Sequence, residues 1–92
     1  MKQVFVILDG LDKFGGKGLV FKVVTSLSTF VTSVPSWVGT DYRCSRNQDG
    51  SDPIWFPIDH LEDYPPLKVF YITFTNSEGD KHVFRIERRN VY

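Results

Sequence analysis

Few residues in this chain are of types that do chemistry, and they are scattered. Cys44, His60 and His82 are the candidate nucleophile, bases and metal ligands, and Asp59, Glu62 and Asp63 flank the first histidine. Metal and acid–base centres need such groups to converge. His60 and Asp63 are three residues apart and share one face of a helical turn, an arrangement commoner in a solvated acidic turn than in a ligand set. Cys44 with either histidine has the composition of a nucleophilic dyad, but no local motif supports it, and an inert buried cysteine is the usual outcome. These residues imply no catalytic set, no metal and no cofactor.

Gly15, Gly16 and Gly18 make the Leu11–Gly18 stretch glycine-rich, with Lys13 and Lys17 beside them. Free N–H groups at a helix start together with a lysine attract anions, so Lys13, Gly15, Gly16 and Lys17 form a secondary candidate loop for an anion or a partner. The nucleotide motif itself is absent. Leu11 stands where a Walker A loop needs its first glycine, and Gly18 stands where it needs the metal-binding hydroxyl. No Gly-x-Gly-x-x-Gly occurs, and Asp49-Gly50-Ser51-Asp52 has the wrong spacing for a calcium loop.

What remains is a set of arginines on strands and strand ends: Arg43, Arg46, Arg85, Arg88 and Arg89, interleaved with Tyr42 and Tyr71. Arginine pairs with phosphate and stacks on bases, and tyrosine offers a platform, so Tyr71, Arg85, Arg88, Arg89, Arg43 and Arg46 are the candidate partner-binding residues. Val69–Phe74 lacks the glycines and leading basic residue of an RNA-recognition motif. The plainer reading is that Tyr71 and Arg85 are cross-strand neighbours that support one another on a solvated face.

These residues need a scaffold, and Leu67–Arg89 states its own most clearly. Two β-rich runs flank Asn76-Ser77-Glu78-Gly79-Asp80. With Gly79 left-handed after a type I turn, Phe70 faces Ile86, Ile72 faces Phe84 and Phe74 faces His82, while Tyr71 meets Arg85 on the other side. Val4–Leu8 is apolar throughout, which predicts a strand covered on both faces near the middle of the sheet. Val20, Val23, Val24, Leu27, Phe30, Val31 and Val34 recur at helical steps and predict a helix from about Gly18 to Val34, stopped by Pro35. The β-branched residues at its start suit a strand as well; in that case the helix shrinks to roughly 26–34 and the sheet gains a member. Ser36–Arg46 and Pro53–Ile58 read as a second hairpin whose prolines suit an edge. Asp59–Tyr64 reads as an acidic turn before Pro65-Pro66. The expected fold is one α+β domain over residues 1–92: a mainly antiparallel sheet of about five strands with one helix packed on one face.

Ninety-two residues suffice for one core, and eleven basic residues balance eleven acidic ones. That balance gives no long-range attraction to nucleic acid or an acidic membrane, so any such binding is local. One cysteine precludes an intramolecular disulfide and points to a reducing compartment, and the apolar run after Lys2 is too short for a signal core or a membrane span. In overall build, a small helix-plus-sheet chain with Tyr71, Arg85, Arg88 and Arg89 exposed, the protein resembles small phage-encoded inhibitors, among them anti-CRISPR proteins. The resemblance implies a non-catalytic inhibitor of a protein or ribonucleoprotein complex in the host cytoplasm, with a possible guide-RNA contact. A single-stranded RNA-binding domain is the alternative, and a small enzyme the third reading.

Overall fold

The computed structural model describes residues 2–11, 18–54 and 68–91, which form six antiparallel strands and one helix. In chain order these are β1 (Lys2–Asp9), β2 (Leu19–Val24), α1 (Leu27–Ser33), β3 (Asp41–Ser45), β4 (Pro53–Ile54), β5 (Val69–Thr75) and β6 (Lys81–Val91). The strands lie in the order β2-β1-β6-β5-β3-β4.

The β5–β6 hairpin has the register read from its loop glycine, with Phe70 opposite Ile86, Ile72 opposite Phe84 and Tyr71 opposite Arg85. Asn76 organises the turn. Its Oδ1 accepts the N–H groups of Glu78 and Asp80, each at 3.0 Å, and its carbonyl accepts the Gly79 N–H at 3.1 Å. Gly79 takes the left-handed conformation, φ 86°. β1 lies between β2 and β6, and Phe5, Val6, Ile7 and Leu8 are all buried, as an uninterrupted apolar run requires.

The expected helix over Gly18–Val34 is corrected: its first part is strand β2, and α1 begins at Leu27. The sheet therefore has six strands among the described residues rather than about five. The cause is a β-bulge. Leu8 pairs with Val20 and Ile7 with Lys22, so Phe21 is the extra residue. Val20 and Val23 then fall on one face although they are three residues apart, and a bulged strand imitates a helical step. β-branched Val20, Val23 and Val24 gain from the pleated setting what they would lose in χ1 freedom in a helix.

Within α1, Leu27 and Phe30 are fully buried, and the Phe30 ring stands edge-on to Phe74 at 5.9 Å and Phe84 at 5.3 Å. Phe5, Ile7, Val24, Val38, Cys44, Ile54, Phe70, Ile72 and Ile86 complete the same apolar cluster. Strand β3 starts later than the expected Ser36, because residues 36–38 form a turn in which the Val38 N–H donates to the Pro35 carbonyl at 3.0 Å. Strand β4 is an edge, as its proline requires, and the rest of the expected Pro53–Ile58 strand lies outside the described residues, with Asp59–Tyr64 and Pro65-Pro66. No helix among the described residues is long and apolar enough to cross a membrane.

Candidate partner-binding face

Strand alternation divides the sheet into a core face and a second face. Pairing sets Ser45, Tyr71, Arg85 and Leu8 in one row across the second face, Arg43, Thr73 and Val83 in the next, and Asp41, Thr75 and Lys81 in a third. Of the six candidate residues, Tyr71, Arg85, Arg89 and Arg43 share this face, and the other two do not.

Arg85 is committed internally. Its Nε donates to Glu87 Oε2 at 3.0 Å and its Nη1 to the Tyr71 hydroxyl at 2.8 Å. Arg89 Nη2 donates to the other oxygen, Glu87 Oε1, at 2.7 Å. The Arg85 and Glu87 side chains are 19% and 13% exposed, so this is a half-buried network rather than the open surface expected. The hydrogen bonds from Arg89 and then Arg85 hold the Glu87 carboxyl below the usual carboxylate range. Burial works to lower the Arg85 pKa, and its bonds and charge interactions with Glu87 and Tyr71 more than offset that.

A depressed carboxylate contributes stability that is full above its unfolded pKa, about 4.3, and is lost as pH falls through the lower folded value. Glu87→Gln is expected to lose about 1–2 kcal/mol at pH 7 and to flatten the fall in thermal midpoint on the acid side of pH 5. Thermal unfolding across pH 3–7 checks this; an unchanged acid slope in the variant would show that Glu87 does not set it. The same network makes Arg85 a poor interface probe, because Arg85→Glu with Arg89→Glu would place two further carboxylates beside Glu87.

Arg88 belongs to the other face. It pairs with Phe5, and its guanidinium carbon lies 5.8 Å from the Phe5 ring centroid. Arg46 lies beyond β3, with Nη1 3.9 Å from Asp52 Oδ2 and both side chains exposed, a weak pair. The Lys13, Gly15, Gly16 and Lys17 loop lies outside the described residues, as do His60 and its acidic neighbours.

Arg43 is different from these. It is exposed and forms no ion pair among the described residues. It lines a cleft of about 570 Å³ with Ser45, Asp49, Thr73, Thr75, Lys81 and Val83, and a second depression of about 470 Å³ with Thr40, Asp41, Tyr42 and Thr75. Lys81, Thr73 and Thr75 were not among the residues singled out from sequence. The hairpin register already set Thr75 opposite Lys81, but the alignment of β3 beside β5, which brings Arg43 to them, has no local signal.

No protein-family model, curated protein or solved structure matches the chain.

The histidine treated as isolated has a partner 73 residues away: His82 Nε2 lies 2.7 Å from Asp9 Oδ1, which also accepts the Gly10 N–H at 2.7 Å. The Trp37 ring stands edge-on to His82 at 5.9 Å. Cys44 does not join this pair as a nucleophile, because it is buried in the core and burial pushes its thiol up to about 12, leaving almost no thiolate at neutral pH. Among the described residues no group of three or more His, Cys, Asp or Glu side chains could hold a metal ion.

Proposed function

We propose that this is a non-catalytic binding protein that docks its second face, centred on Arg43, on a protein or ribonucleoprotein complex. The observation that carries the reading is Arg43 itself: an exposed cation on a sheet, between two clefts, without an ion-pair partner among the described residues. Arginine beside small hydroxyls and an apolar wall is the composition of an interface anchor. In this reading α1 packs over the opposite face through Leu27 and Phe30 and stiffens the sheet, so the anchor is pre-organised. The build resembles phage-encoded inhibitors such as anti-CRISPR proteins, and inhibition by occupation of a surface in the host cytoplasm is the corresponding mode of action. Tyr71, Arg85 and Arg89 support the face rather than reach into the partner.

Arg43→Glu with Lys81→Glu tests this, with wild type and variant each used as bait against bacterial lysate containing candidate effector complexes. Both side chains are exposed, so the thermal midpoint should hardly change. Affinity for the retained partner is expected to fall about thirtyfold, a hot-spot loss of about 2 kcal/mol. Undiminished capture by the folded variant would remove Arg43 from the interface.

A second reading is favoured by the same cleft. Arg43, Lys81 and the Thr73 and Thr75 hydroxyls are all groups that donate to phosphate, which suits single-stranded RNA. The Asp49 carboxylate in the same cleft and the neutral net charge place it second. Gel shifts with single-stranded RNA at two salt concentrations separate the two, since no shift at low salt removes independent RNA binding.

A further inference from the structure

Strand β2 ends the sheet on the side away from Arg43, with β1 as its neighbour. Leu19, Val20, Phe21 and Val23 are 81%, 60%, 43% and 55% exposed, an apolar row on a strand with no further strand beyond it among the described residues. Natural edge strands are blunted by outward charge, proline, an inward-turned charge or a bulge, and β2 has only the last two. The one charged residue of β2, Lys22, is turned away onto α1, with its Nζ 3.2 Å from Ser33 Oγ. The exposed apolar side chains are what a partner strand would cover.

The bulge identifies which strand fits. Leu19, Lys22 and Val24 pair with Asp9, Ile7 and Phe5 and so share the core face, while Val20 and Val23 pair with Leu8 and Val6 on the second face. The extra residue, Phe21, sets its ring 5.4 Å from Phe84 and therefore also lies on the core face. From Leu19 to Val24 the faces run core, second, core, core, second, core. That order reads the same in both directions. Strict alternation over six residues could not do this, because the first and last residues would point to opposite faces.

We propose that β2 pairs antiparallel with β2 of a second copy of this chain, about a two-fold axis between Phe21 and Lys22. Leu19 then opposes Val24, Val20 opposes Val23 and Phe21 opposes Lys22 of the other copy. Each opposed pair shares a face, as antiparallel pairing demands, and the two lysines avoid one another. The neutral net charge sets no repulsion against self-association. A six-residue pairing stays below the roughly 1,200 Å² of a standard interface, so association is weak and concentration-dependent. It leaves Arg43 at the far side of each sheet and goes beyond the proposed docking role, on which it does not depend.

Sedimentation equilibrium of the full chain should show monomer passing to dimer with rising concentration, and Val23→Lys should weaken the dimer about tenfold or more by opposing a lysine to Val20. Val23 is exposed, so this variant keeps its core. Register is read by mixing a tagged Val20→Cys chain with an untagged Val23→Cys chain under oxidation; buried Cys44 stays in place. The mixed 20–23 disulfide is expected to exceed the two like-with-like disulfides together about tenfold, where random pairing gives about equal amounts, because opposed positions bring the two Cβ atoms within bonding reach. A monomer at every concentration, a dimer indifferent to Val23→Lys, or disulfides in random proportion would each overturn the proposal.

Discussion

Phe84→Ala is expected to cost about 3–5 kcal/mol, the largest loss from any single side chain in the core. Phe84 is fully buried on β6, and four rings converge on it: Phe21 at 5.4 Å, Phe30 at 5.3 Å, Phe74 at 5.6 Å and His82 at 4.7 Å. The rings belong to β2, α1, β5 and β6 itself, so truncation loosens every element that meets there. A domain of this size holds only about 5–15 kcal/mol in total, and the variant is expected near the edge of unfolding at 37 °C. Phe84→Leu keeps most of the volume and should cost about half as much or less. Urea denaturation of the three proteins measures both. A loss under about 1 kcal/mol for Phe84→Ala would mean that the neighbouring rings close the cavity.

Gly39→Ala is expected to cost about 2–4 kcal/mol for a different reason, backbone rather than burial. Gly39 has φ 121°, a region that L side chains avoid. A Cβ there would lie 2.5 Å from the carbonyl carbon and oxygen of Thr75 and 2.8 Å from the Asn76 nitrogen. None of these can step aside, because Thr75 pairs with Lys81 and Asn76 holds the hairpin turn. Gly50 supplies the comparison: it also has positive φ, at 86°, but open space around it. Gly50→Ala should cost only the conformational penalty of about 1 kcal/mol. Equal losses for the two variants would remove the close approach at Gly39 as the cause.

The β5–β6 hairpin was legible because its evidence is local: one glycine and one alternating pattern determine the register. The same alternation already separated Arg88 from Arg85 and Arg89, since positions 85, 87 and 89 of a strand point one way and 88 the other. Grouping the three by nearness in sequence overlooked that parity. β2 was misread for a physical reason, because the Phe21 bulge produces the three-residue step that otherwise marks a helix. The Asp9–His82 pair and the row that joins Arg43 to Thr73 arise from strands brought together by folding. Neither has a signature in the residues that flank it. The role of Glu87 in tying Arg85 to Arg89 depends on side-chain reach along one strand face.

Cys44 has a use that its inertness creates. It is the chain's one thiol, buried on β3 between Ile72 of β5 and Ile54 of β4. A thiol reagent can reach it only when that end of the sheet opens, so the rate of labelling counts openings. The molecule thus carries its own gauge of local breathing, placed one strand away from Thr73 and beside Arg43. A ligand that settles on the second face should slow that clock, and the slowing reports occupancy without any added label on the partner.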